Sequence, residues 1–352
     1  MRKRLLFGLA TLFVFLSALE GGARIFGPGI MPADPGMETG NGLPADSLTG
    51  WRVVPGTQQD FGVPEPTHIN QHGLRAPEFP LEKTANEQRI LLLGDSTVYG
   101  VLVRDEDSFG GLLEQLLKPT NPAIRVMNAG CPGYSSWQAL QLFRERLLPL
   151  KPDVVVIATI WSDAQGSEAP DSSRYGQGEG RSLLSHSAFY VWLQAKMRRA
   201  KWHDAKAESI EFRFQPNATN SNAPPPPPGG PMEMGPAKLA PTHRVPLGQY
   251  RENLKEIARL AVEAGAQPVF LILPCFRDPE LGKVGDFRDA YREAMREVAD
   301  SLDAPLVDSS TAFFGGSVNA LFYDDVHPTP KGHALIAQEL FTSLKRYQTG
   351  SP

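Results

Sequence analysis

A serine and a histidine far apart in the chain stand in settings that suit nucleophilic catalysis. Ser96 closes the run Gly94-Asp95-Ser96, directly after the apolar segment 90–93. Near the C-terminus, Asp324 precedes His327 by three residues, so its carboxylate can turn back within one loop and bind the imidazole. A serine hydroxyl becomes a nucleophile when an imidazole takes its proton and a carboxylate fixes the imidazole tautomer. These residue types therefore indicate a candidate Ser-His-Asp triad.

Each of these short motifs also has an ordinary structural interpretation. Gly94-Asp95-Ser96 can be a strand-to-helix turn in which Asp95 or Ser96 caps the helix that follows. Asp324 and His327 can be a helix-capping carboxylate and a loop histidine. The prolines at 328 and 330 stiffen that loop and keep the next helix from beginning early, which suits a preorganised base. The catalytic interpretation therefore requires that the fold bring the two motifs together.

The segments between the two motifs alternate between apolar strands and amphipathic helices. A short apolar run such as 90–93 fits a central parallel strand, because both faces of such a strand are covered. The pattern predicts strands at 90–93, 124–127, 154–159, 268–273 and 305–308, and helices at 109–117, 136–147, 247–263, 287–302 and 331–347. This alternation predicts an α/β fold with a mainly parallel sheet covered on both faces. Ser96 would then lie at the carboxyl edge of the sheet, where open α/β sheets bind their ligands.

The remaining sequence divides into an N-terminal segment, a stem and an insert. Residues 1–26 begin with a basic cluster and continue with an apolar stretch, which predicts a signal peptide or an uncleaved signal anchor. Residues 27–88 are rich in glycine and proline, so we expect a stem that wraps onto the domain. The domain at 89–347 is interrupted by an insert at 164–242, with a predicted helix at 181–201 and a proline-rich, flexible part at about 215–242. We expect an extracytoplasmic location, membrane-anchored or secreted, in the periplasm or at the cell surface.

Composition argues against several other classes of protein. The net charge of -4 gives no sign of a nucleic-acid partner. The chain has two cysteines, Cys131 and Cys275, too few for a disulfide framework or a cysteine zinc cluster, although one bridge between them stays open. The histidines show no metal-ligand spacing, and we expect no metal or organic cofactor. Three aromatic residues near the expected active edge could stack on a sugar or pack in the core: Tyr134, Trp137 and Trp161.

Together the two motifs resemble those of the SGNH hydrolase superfamily, the GDSL-type esterases and lipases. In that family the nucleophile lies in a Gly-Asp-Ser block, matched here by residues 94–96, and the last block is Asp-x-x-His, matched by residues 324–327. A second block carries a glycine whose N–H helps to form the oxyanion hole, and Asn-Ala-Gly-Cys-Pro-Gly at 128–133 matches it through Gly133. The resemblance covers most of residues 90–344 outside the insert. It implies a three-layer α/β/α sandwich of the flavodoxin-like SGNH type.

The third block departs from the family pattern. The family usually has Gly-x-Asn-Asp after a strand, whereas this chain has Ile160-Trp161-Ser162-Asp163. The family's asparagine donates to the developing oxyanion, and losing such a donor can cost about 3 to 4 kcal/mol of transition-state stabilisation. Ser162 could donate through its shorter hydroxyl group. Alternatively, the N–H groups of Ser96 and Gly133 could form the oxyanion hole alone.

The resemblance and the N-terminal segment together imply an exported serine esterase. Ser96 would attack the ester, His327 would take its proton and Asp324 would hold His327. The expected substrate is an O-acyl ester, with acetyl as the expected acyl group and an acylated carbohydrate as the expected carrier, while another ester, including a lipid or a thioester, stays open. The N-terminal segment would contact the membrane. Two alternatives stay open. One is an O-acyltransferase that uses the same acyl-enzyme, and the other is a catalytically degenerate domain that binds glycans, which the change at Ser162 suggests.

Overall fold

The structure is a computed structural model, and it describes residues 43–59, 67–167, 169–175, 242–278 and 289–349, with three isolated residues at 11, 15 and 17. Most of the predicted signal segment lies outside the described residues, as do the helix predicted at 181–201 and nearly all of the proline-rich part of the insert. Among the helices of the described residues, none combines the length and the apolar character that a membrane crossing requires.

The chain divides into two units, a smaller one of residues 1–51 and 175–214 and a larger one of residues 52–174 and 215–352. In the smaller unit, strands β1 (Ala45–Asp46) and β2 (Gly50–Trp51) form an antiparallel hairpin. Asp46 Oδ1 accepts hydrogen bonds from the N–H groups of Leu48 and Thr49, both at 3.0 Å, which shapes the turn. The ring of Trp51 meets that of Tyr175 edge to face, with 5.8 Å between the centroids.

A five-stranded parallel sheet forms the centre of the larger unit. Its order is β11-β10-β7-β5-β6, and the apolar run 90–93 of β5 is fully buried at an inner position. The two remaining pairs, β3 with β4 and β8 with β9, are short and antiparallel. The strands of this unit are β3 (Gln58–Gln59), β4 (Thr67–His68), β5 (Gln88–Gly94), β6 (Ile124–Asn128), β7 (Val154–Ala158), β8 (Gly166–Ser167), β9 (Thr242–His243), β10 (Gln267–Ile272) and β11 (Leu306–Asp308).

Helices cover both faces of this sheet. The α-helices of the described residues are α1 (Ser96–Tyr99), α2 (Phe109–Leu117), α3 (Ser136–Leu142), α4 (Asp171–Tyr175), α5 (Leu247–Glu263), α6 (Asp289–Ser301), α7 (Val318–Leu321) and α8 (Pro330–Thr349). Helix α3 continues into a π-helical turn, Phe143–Leu147. Helices α2 and α8 pack together in one layer, while α3, α5 and α6 form the other. The fold is therefore the predicted three-layer α/β/α sandwich.

The order of the strands places a crevice at the carboxyl end of β5. The chain leaves β5 for its neighbour β6 and then crosses back to β7 on the other side of β5. Because parallel crossovers are right-handed, this reversal sends α2 and α3 to opposite faces of the sheet. The carboxyl end of β5 is thus the topological switch point, where ligands bind in open α/β sheets. Ser96 follows β5 at this point.

The long elements agree closely with the sequence-based prediction. Each predicted strand and helix of the described residues is present, with both ends within two residues of the prediction when the π-helical turn 143–147 is counted with α3. Several short elements were not predicted: the pairs β1–β2, β3–β4 and β8–β9 and the helices α1, α4 and α7. The segment predicted as a stem contributes β3 and β4 to the larger unit.

Candidate active site

The turn between β5 and α1 presents Ser96. A Cβ on Gly94 would lie 2.2 Å from Val98 Cγ2 and 2.5 Å from the carbonyl oxygen of Ala158, so only glycine fits at the end of the strand. Asp95 is fully buried and caps α1, since its Oδ1 accepts the N–H of Thr97 at 3.0 Å. Ser96 is half-buried at the first position of this four-residue helix. Asp95 therefore has the capping role, and Ser96 faces the crevice edge.

His327 joins Ser96 and Asp324. Its Nε2 lies 2.8 Å from Ser96 Oγ, and its Nδ1 lies 2.6 Å from Asp324 Oδ2. The other oxygen, Asp324 Oδ1, accepts the N–H groups of Val326 at 3.0 Å and His327 at 2.9 Å. The Asp-x-x-His spacing thus lets one carboxylate both shape the loop and hold the imidazole. The structure brings together all three side chains that the sequence proposed as a triad.

Hydrogen bonds from neighbouring segments fix the histidine loop. Thr97 Oγ1, on α1, donates to the carbonyl oxygen of Val326 at 3.0 Å. The N–H of Phe276, in the loop after β10, donates to the carbonyl oxygen of Asp325 at 2.9 Å. These bonds tie the loop of the base to the helix of the nucleophile and to the carboxyl end of a second strand. The imidazole is therefore positioned before any substrate arrives.

The charges of the triad favour a basic imidazole. Burial would lower the pKa of His327, but the hydrogen bond and the negative charge of Asp324 raise that pKa above its usual value. For Asp324, burial opposes ionisation, while the hydrogen bond from His327 lowers the pKa below its usual value. Burial raises the pKa of the neighbouring Asp95 to about 6, against the effect of nearby backbone N–H groups. Asp324 thus stabilises the imidazolium that forms when His327 takes a proton.

Two backbone N–H groups at this edge have no hydrogen-bond acceptor among the described residues: those of Ser96 and Gly133. Gly133 adopts φ +78, a conformation that favours glycine. Its loop is held against the nucleophile turn, because the N–H of Cys131 donates to the carbonyl oxygen of Gly94 at 3.1 Å. Asn128 braces the same loop, accepting the Gly130 N–H at 2.9 Å and donating to the carbonyl oxygen of Val98 at 2.8 Å.

The third block follows β7 at the same edge of the sheet. Ser162 is 3% exposed, and its N–H favours the charged form of Asp95. No hydrogen bond joins its hydroxyl to any residue that the structure describes. Asp163 instead binds the start of α3, accepting the N–H of Ser136 at 2.8 Å, and burial raises its pKa to about 7. The aspartate thus fixes the helix after the Gly133 loop, while Ser162 keeps an available hydroxyl.

The other histidines of the described residues make structural contacts. His333 is fully buried and its Nδ1 accepts the N–H of Phe109 at 3.2 Å, while burial lowers its pKa to about 3. Within the described ranges, no group of histidine, cysteine, aspartate and glutamate side chains could hold a metal ion. Two further histidines, at 186 and 203, lie outside those ranges. The remaining contacts are His68 with Glu78, His72 with the carbonyl of Phe79, and His243 with the carbonyl of Ala164.

The other residues noted near this edge belong to the core. Cys131 and Cys275 are both buried and are not joined by a disulfide bond. Tyr134, Trp137 and Trp161 are 1%, 6% and 5% exposed. Such burial favours packing over stacking on a sugar for all three rings.

Two arginines that the sequence did not mark as functional contact the site. Arg75 is 6% exposed, and its Nη1 donates to the carbonyl oxygens of Tyr99 and Gly100, both at 2.6 Å, which secures the end of α1. Arg244 donates from Nη1 to the carbonyl oxygen of Gly133 at 2.7 Å. Neither residue lies in a recognisable motif, and a single arginine carries no local pattern. Only the tertiary structure reveals these contacts.

One family model matches most of the chain. The family model described as the GDSL-like Lipase/Acylhydrolase family matches residues 92–238 and 241–335. No curated protein is similar enough to the chain to count as a match.

Similar solved structures include an alpha/beta hydrolase enzyme from the metagenome of Lake Arreo, Spain, at 18% identity and a TM-score of 0.45, covering 75% of this chain and 97% of that chain. An acetylxylan esterase from Geobacillus stearothermophilus is 17% identical with a TM-score of 0.45, covering 75% and 96%. Another acetyl xylan esterase is 13% identical with a TM-score of 0.45, covering 73% and 99%.

The family model spans both halves of the candidate site, from the end of β5 to the start of α8. It includes the serine block, the Gly133 loop and the Asp-x-x-His block. The chain therefore belongs to the GDSL-like lipase/acylhydrolase family, and it is a carboxylic ester hydrolase.

Proposed function

We propose that the protein is a serine esterase that cleaves O-acyl esters through an acyl-enzyme formed on Ser96. The observation that carries the proposal is the chain of two hydrogen bonds at His327, 2.8 Å to Ser96 Oγ and 2.6 Å to Asp324 Oδ2. His327 takes the hydroxyl proton as Ser96 Oγ bonds to the acyl carbon, and the resulting imidazolium protonates the leaving alcohol. Water, deprotonated by His327, then attacks the acyl carbon, and the imidazolium returns the proton to Ser96 Oγ as the bond from Oγ to the acyl carbon breaks and the acid leaves.

The oxyanion of the tetrahedral intermediate would be held by the N–H groups of Ser96 and Gly133. The lack of an acceptor for either N–H among the described residues supports this role. The hydroxyl of Ser162 would be a third donor in place of the asparagine amide of the family. Donors of this kind act by being in place before charge develops on the oxygen. Helix α1 is only four residues long, so we assign the stabilisation to these individual donors.

Solvent access to the triad supports hydrolysis over transfer of the acyl group to a second alcohol. The side chain of Asp324 is 42% exposed and that of His327 is 14% exposed. Water can therefore approach the base from the side of the carboxylate. A transferase that uses the same acyl-enzyme must exclude water at this step, and the exposed carboxylate gives no such protection.

We propose acetyl esters on a polysaccharide as the substrate, at an extracytoplasmic location. The support comes from the N-terminus, where three basic residues at 2–4 precede an uncharged stretch at 5–19. This arrangement is typical of an export signal, and it lacks a clean cleavage site, so the domain would stay tethered to the membrane. Outside the cytoplasm, acylated carbohydrates of the cell envelope or the environment would be the accessible esters.

The activity can be tested with 4-nitrophenyl esters of increasing acyl length and with an acetylated polysaccharide. The full chain is expected to release acetate from both classes and to prefer the short acyl chain. Ser96→Ala should abolish turnover while the protein stays folded. Ser301→Ala is a matched control, because Ser301 Oγ only donates to the carbonyl oxygen of Val298 at the end of α6. Equal activity in a folded Ser96→Ala protein would contradict the proposal, as would a rate limited to alcohol-dependent transfer.

The location can be tested by fractionating cells that express the full chain. We expect the protein in the membrane fraction, with its domain cleaved by a protease added outside the cytoplasmic membrane. A variant with the basic residues 2–4 replaced by glutamate should be exported poorly. Protein that is cytoplasmic and fully protected from the protease would contradict the proposed location and leave the esterase assignment untouched.

A further inference from the structure

We propose that Arg244, held by Asp171, is a positioning residue that fixes the oxyanion-hole loop for catalysis. The proposal rests on the proposed function, because it requires the Gly133 N–H to bind the oxyanion. Neither residue lies in the blocks that define the family resemblance. Both come from the segments that flank residues 176–241, so they reach the site from outside the motifs.

The contacts of Arg244 are made with the Gly133 loop and with the helix after it. Its Nη1 donates to the carbonyl oxygen of Gly133 at 2.7 Å, and its Nη2 donates to Gln138 Oε1 at 2.8 Å. Ser135 caps α3, and its N–H donates to Gln138 Oε1 at 3.0 Å. One guanidinium group therefore holds both the glycine and the start of the helix.

Asp171 holds the guanidinium group and the same helix end. Its Oδ2 accepts from Arg244 Nη2 at 2.7 Å and from Nε at 3.1 Å. The same oxygen accepts the hydroxyl of Ser135 at 2.8 Å. Asp171 is fully buried and Arg244 is 8% exposed, so little solvent competes for these bonds. The pair and its partners form one connected network behind the Gly133 loop.

This network determines where the Gly133 N–H points. The carbonyl of Gly133 and its N–H are separated by only two rotatable backbone bonds, and the residue adopts φ +78. A glycine in this loop could rotate to other conformations at little cost. The bond from Arg244 to the carbonyl restricts that rotation. At the other side of the loop, the N–H of Cys131 is fixed on the carbonyl of Gly94, so the loop is anchored at both ends.

The same pair joins the segments on either side of residues 176–241. Asp171 lies in α4 and Arg244 directly follows β9, which pairs with β8 through Gly166 and His243. The N–H of Asp171 also donates to the carbonyl oxygen of Arg244 at 2.7 Å. The two chain segments on either side of residues 176–241 are thus bound to each other, and Arg244 connects them to the Gly133 loop.

The experiment compares wild-type protein with Arg244→Gln and Arg244→Lys on a 4-nitrophenyl acetate substrate. The lysine variant keeps a positive charge beside Asp171, so it is expected to fold. Its single nitrogen cannot occupy the separate positions of Nε, Nη1 and Nη2, which bind Asp171, Gly133 and Gln138. Displacement of catalytic groups by about 1 Å can cost roughly 10²-fold in rate. We expect kcat to fall by about 10- to 100-fold in both variants, with KM nearly unchanged.

A trifluoromethyl ketone gives a readout that a purely structural role would not move. This inhibitor adds to the serine and forms a stable oxyanion, so its binding reports the oxyanion hole directly. We expect its inhibition constant to rise by the same factor as kcat falls in each variant. A folded Arg244→Lys or Arg244→Gln protein with wild-type kcat and inhibition constant would overturn the proposal, and so would a fall in kcat without a matching rise of the inhibition constant.

Arg89→Gln is the matched control. Arg89 is fully buried, donates to Glu87 Oε1 at 2.8 Å and binds backbone carbonyl oxygens, but it lies at the start of β5, at the opposite edge of the sheet. The Arg89→Gln variant should have a lower unfolding temperature, but the inhibition constant of the trifluoromethyl ketone should not rise selectively. Failure of the proposed function would be seen separately, as equal activity of wild type and Ser96→Ala. Wild-type activity that depends on Ser96 but not on Arg244 would overturn only the positioning role.

Discussion

Nε2 of His327 lies 2.8 Å from Oγ of Ser96, although 231 residues separate the two in the chain. The contact arises because the loop after β5 and the loop before α8 meet at the carboxyl edge of one parallel sheet. Neither motif is informative by itself, since each has an ordinary structural role as well. Their contact in the folded structure is the observation that supports the chemistry of a serine esterase at this position.

Asp324 and Asp325 provide a paired test of the carboxylate. Asp324→Asn removes the acceptor that lies 2.6 Å from His327 Nδ1, so the imidazole loses its tautomer control and its charge partner. We expect kcat/KM to fall by roughly 10³-fold or more. Asp325 contacts the neighbouring loop through its backbone carbonyl, which asparagine retains, so Asp325→Asn should be mild. If Asp325→Asn is damaging and Asp324→Asn is mild, the assignment of the orienting carboxylate to Asp324 is wrong.

The triad should act as one unit. Because Asp324 acts through His327, the double variant Asp324→Asn with His327→Ala should cost little more than His327→Ala alone. The measurement is kcat/KM for the two single variants and the double variant at one pH. Losses that multiply would mean that Asp324 contributes by a route independent of His327.

The pH dependence of kcat/KM should report the ionisation of His327. The base acts only when it is neutral, so activity should rise with pH through the pKa of His327. The structure raises that pKa above its usual value, so the midpoint should lie above the ordinary imidazole value of about 6.5. Asp324→Asn removes the main cause of the increase and should move the midpoint to lower pH while lowering the plateau. A midpoint that shifts upward in this variant would contradict the assignment.

Ser162 tests whether a hydroxyl replaces the family's amide. Ser162→Ala removes the hydroxyl and little else, because no described residue bonds to it. If the hydroxyl binds the oxyanion, kcat should fall by about 10²-fold with KM unchanged. Ser162→Asn, which supplies the amide of the family, should retain far more activity than the alanine variant. An alanine variant with unchanged kcat would show that the two N–H groups act alone.

Gly130 tests the packing of the oxyanion loop on α1. A Cβ at this position would lie 2.3 Å from the backbone nitrogen of Tyr99. Since backbone atoms cannot yield as side chains do, Gly130→Ala should lower the free energy of unfolding by about 1 to 3 kcal/mol. Gly248→Ala is the control, because a Cβ there meets nothing within 4 Å and alanine favours the helix. Chemical denaturation of both variants checks the prediction, which a stable Gly130→Ala protein would contradict.

The layers of the fold could be predicted from the sequence because hydrophobic periodicity is a local property. Long helices such as α2 and α5 have enough residues to show their period, and β5 was marked by its continuous apolar run; the observed bounds follow these patterns. The strand order and the short pair β8–β9 depend on contacts between distant segments. No local pattern encodes those contacts, so the sequence left them undetermined.

Site residues could be predicted from the sequence where they belong to a motif of neighbouring residues. Single site residues outside a motif could not be predicted. Ser96, Asp324, His327 and Gly133 were each identified through a block of neighbouring residues, and their catalytic roles stay predictions. Arg244 and Asp171 were missed, because their partners lie in another segment of the chain. The aromatic residues at 134, 137 and 161 were ambiguous. The sequence indicates that each ring lies near the edge of the sheet, but not whether the ring is buried in the core or exposed to a ligand.

The most direct test of the account is covalent labelling of the nucleophile. A fluorophosphonate reacts with a serine that a neighbouring base activates, so the wild-type protein should be labelled at one site, and peptide mapping should locate the label on Ser96. Ser96→Ala should remove the label, and Ser301→Ala should retain it. His327→Ala should slow labelling strongly while Ser96 stays present. Labelling that persists unchanged in a folded Ser96→Ala protein, or that maps to another residue, would contradict the account.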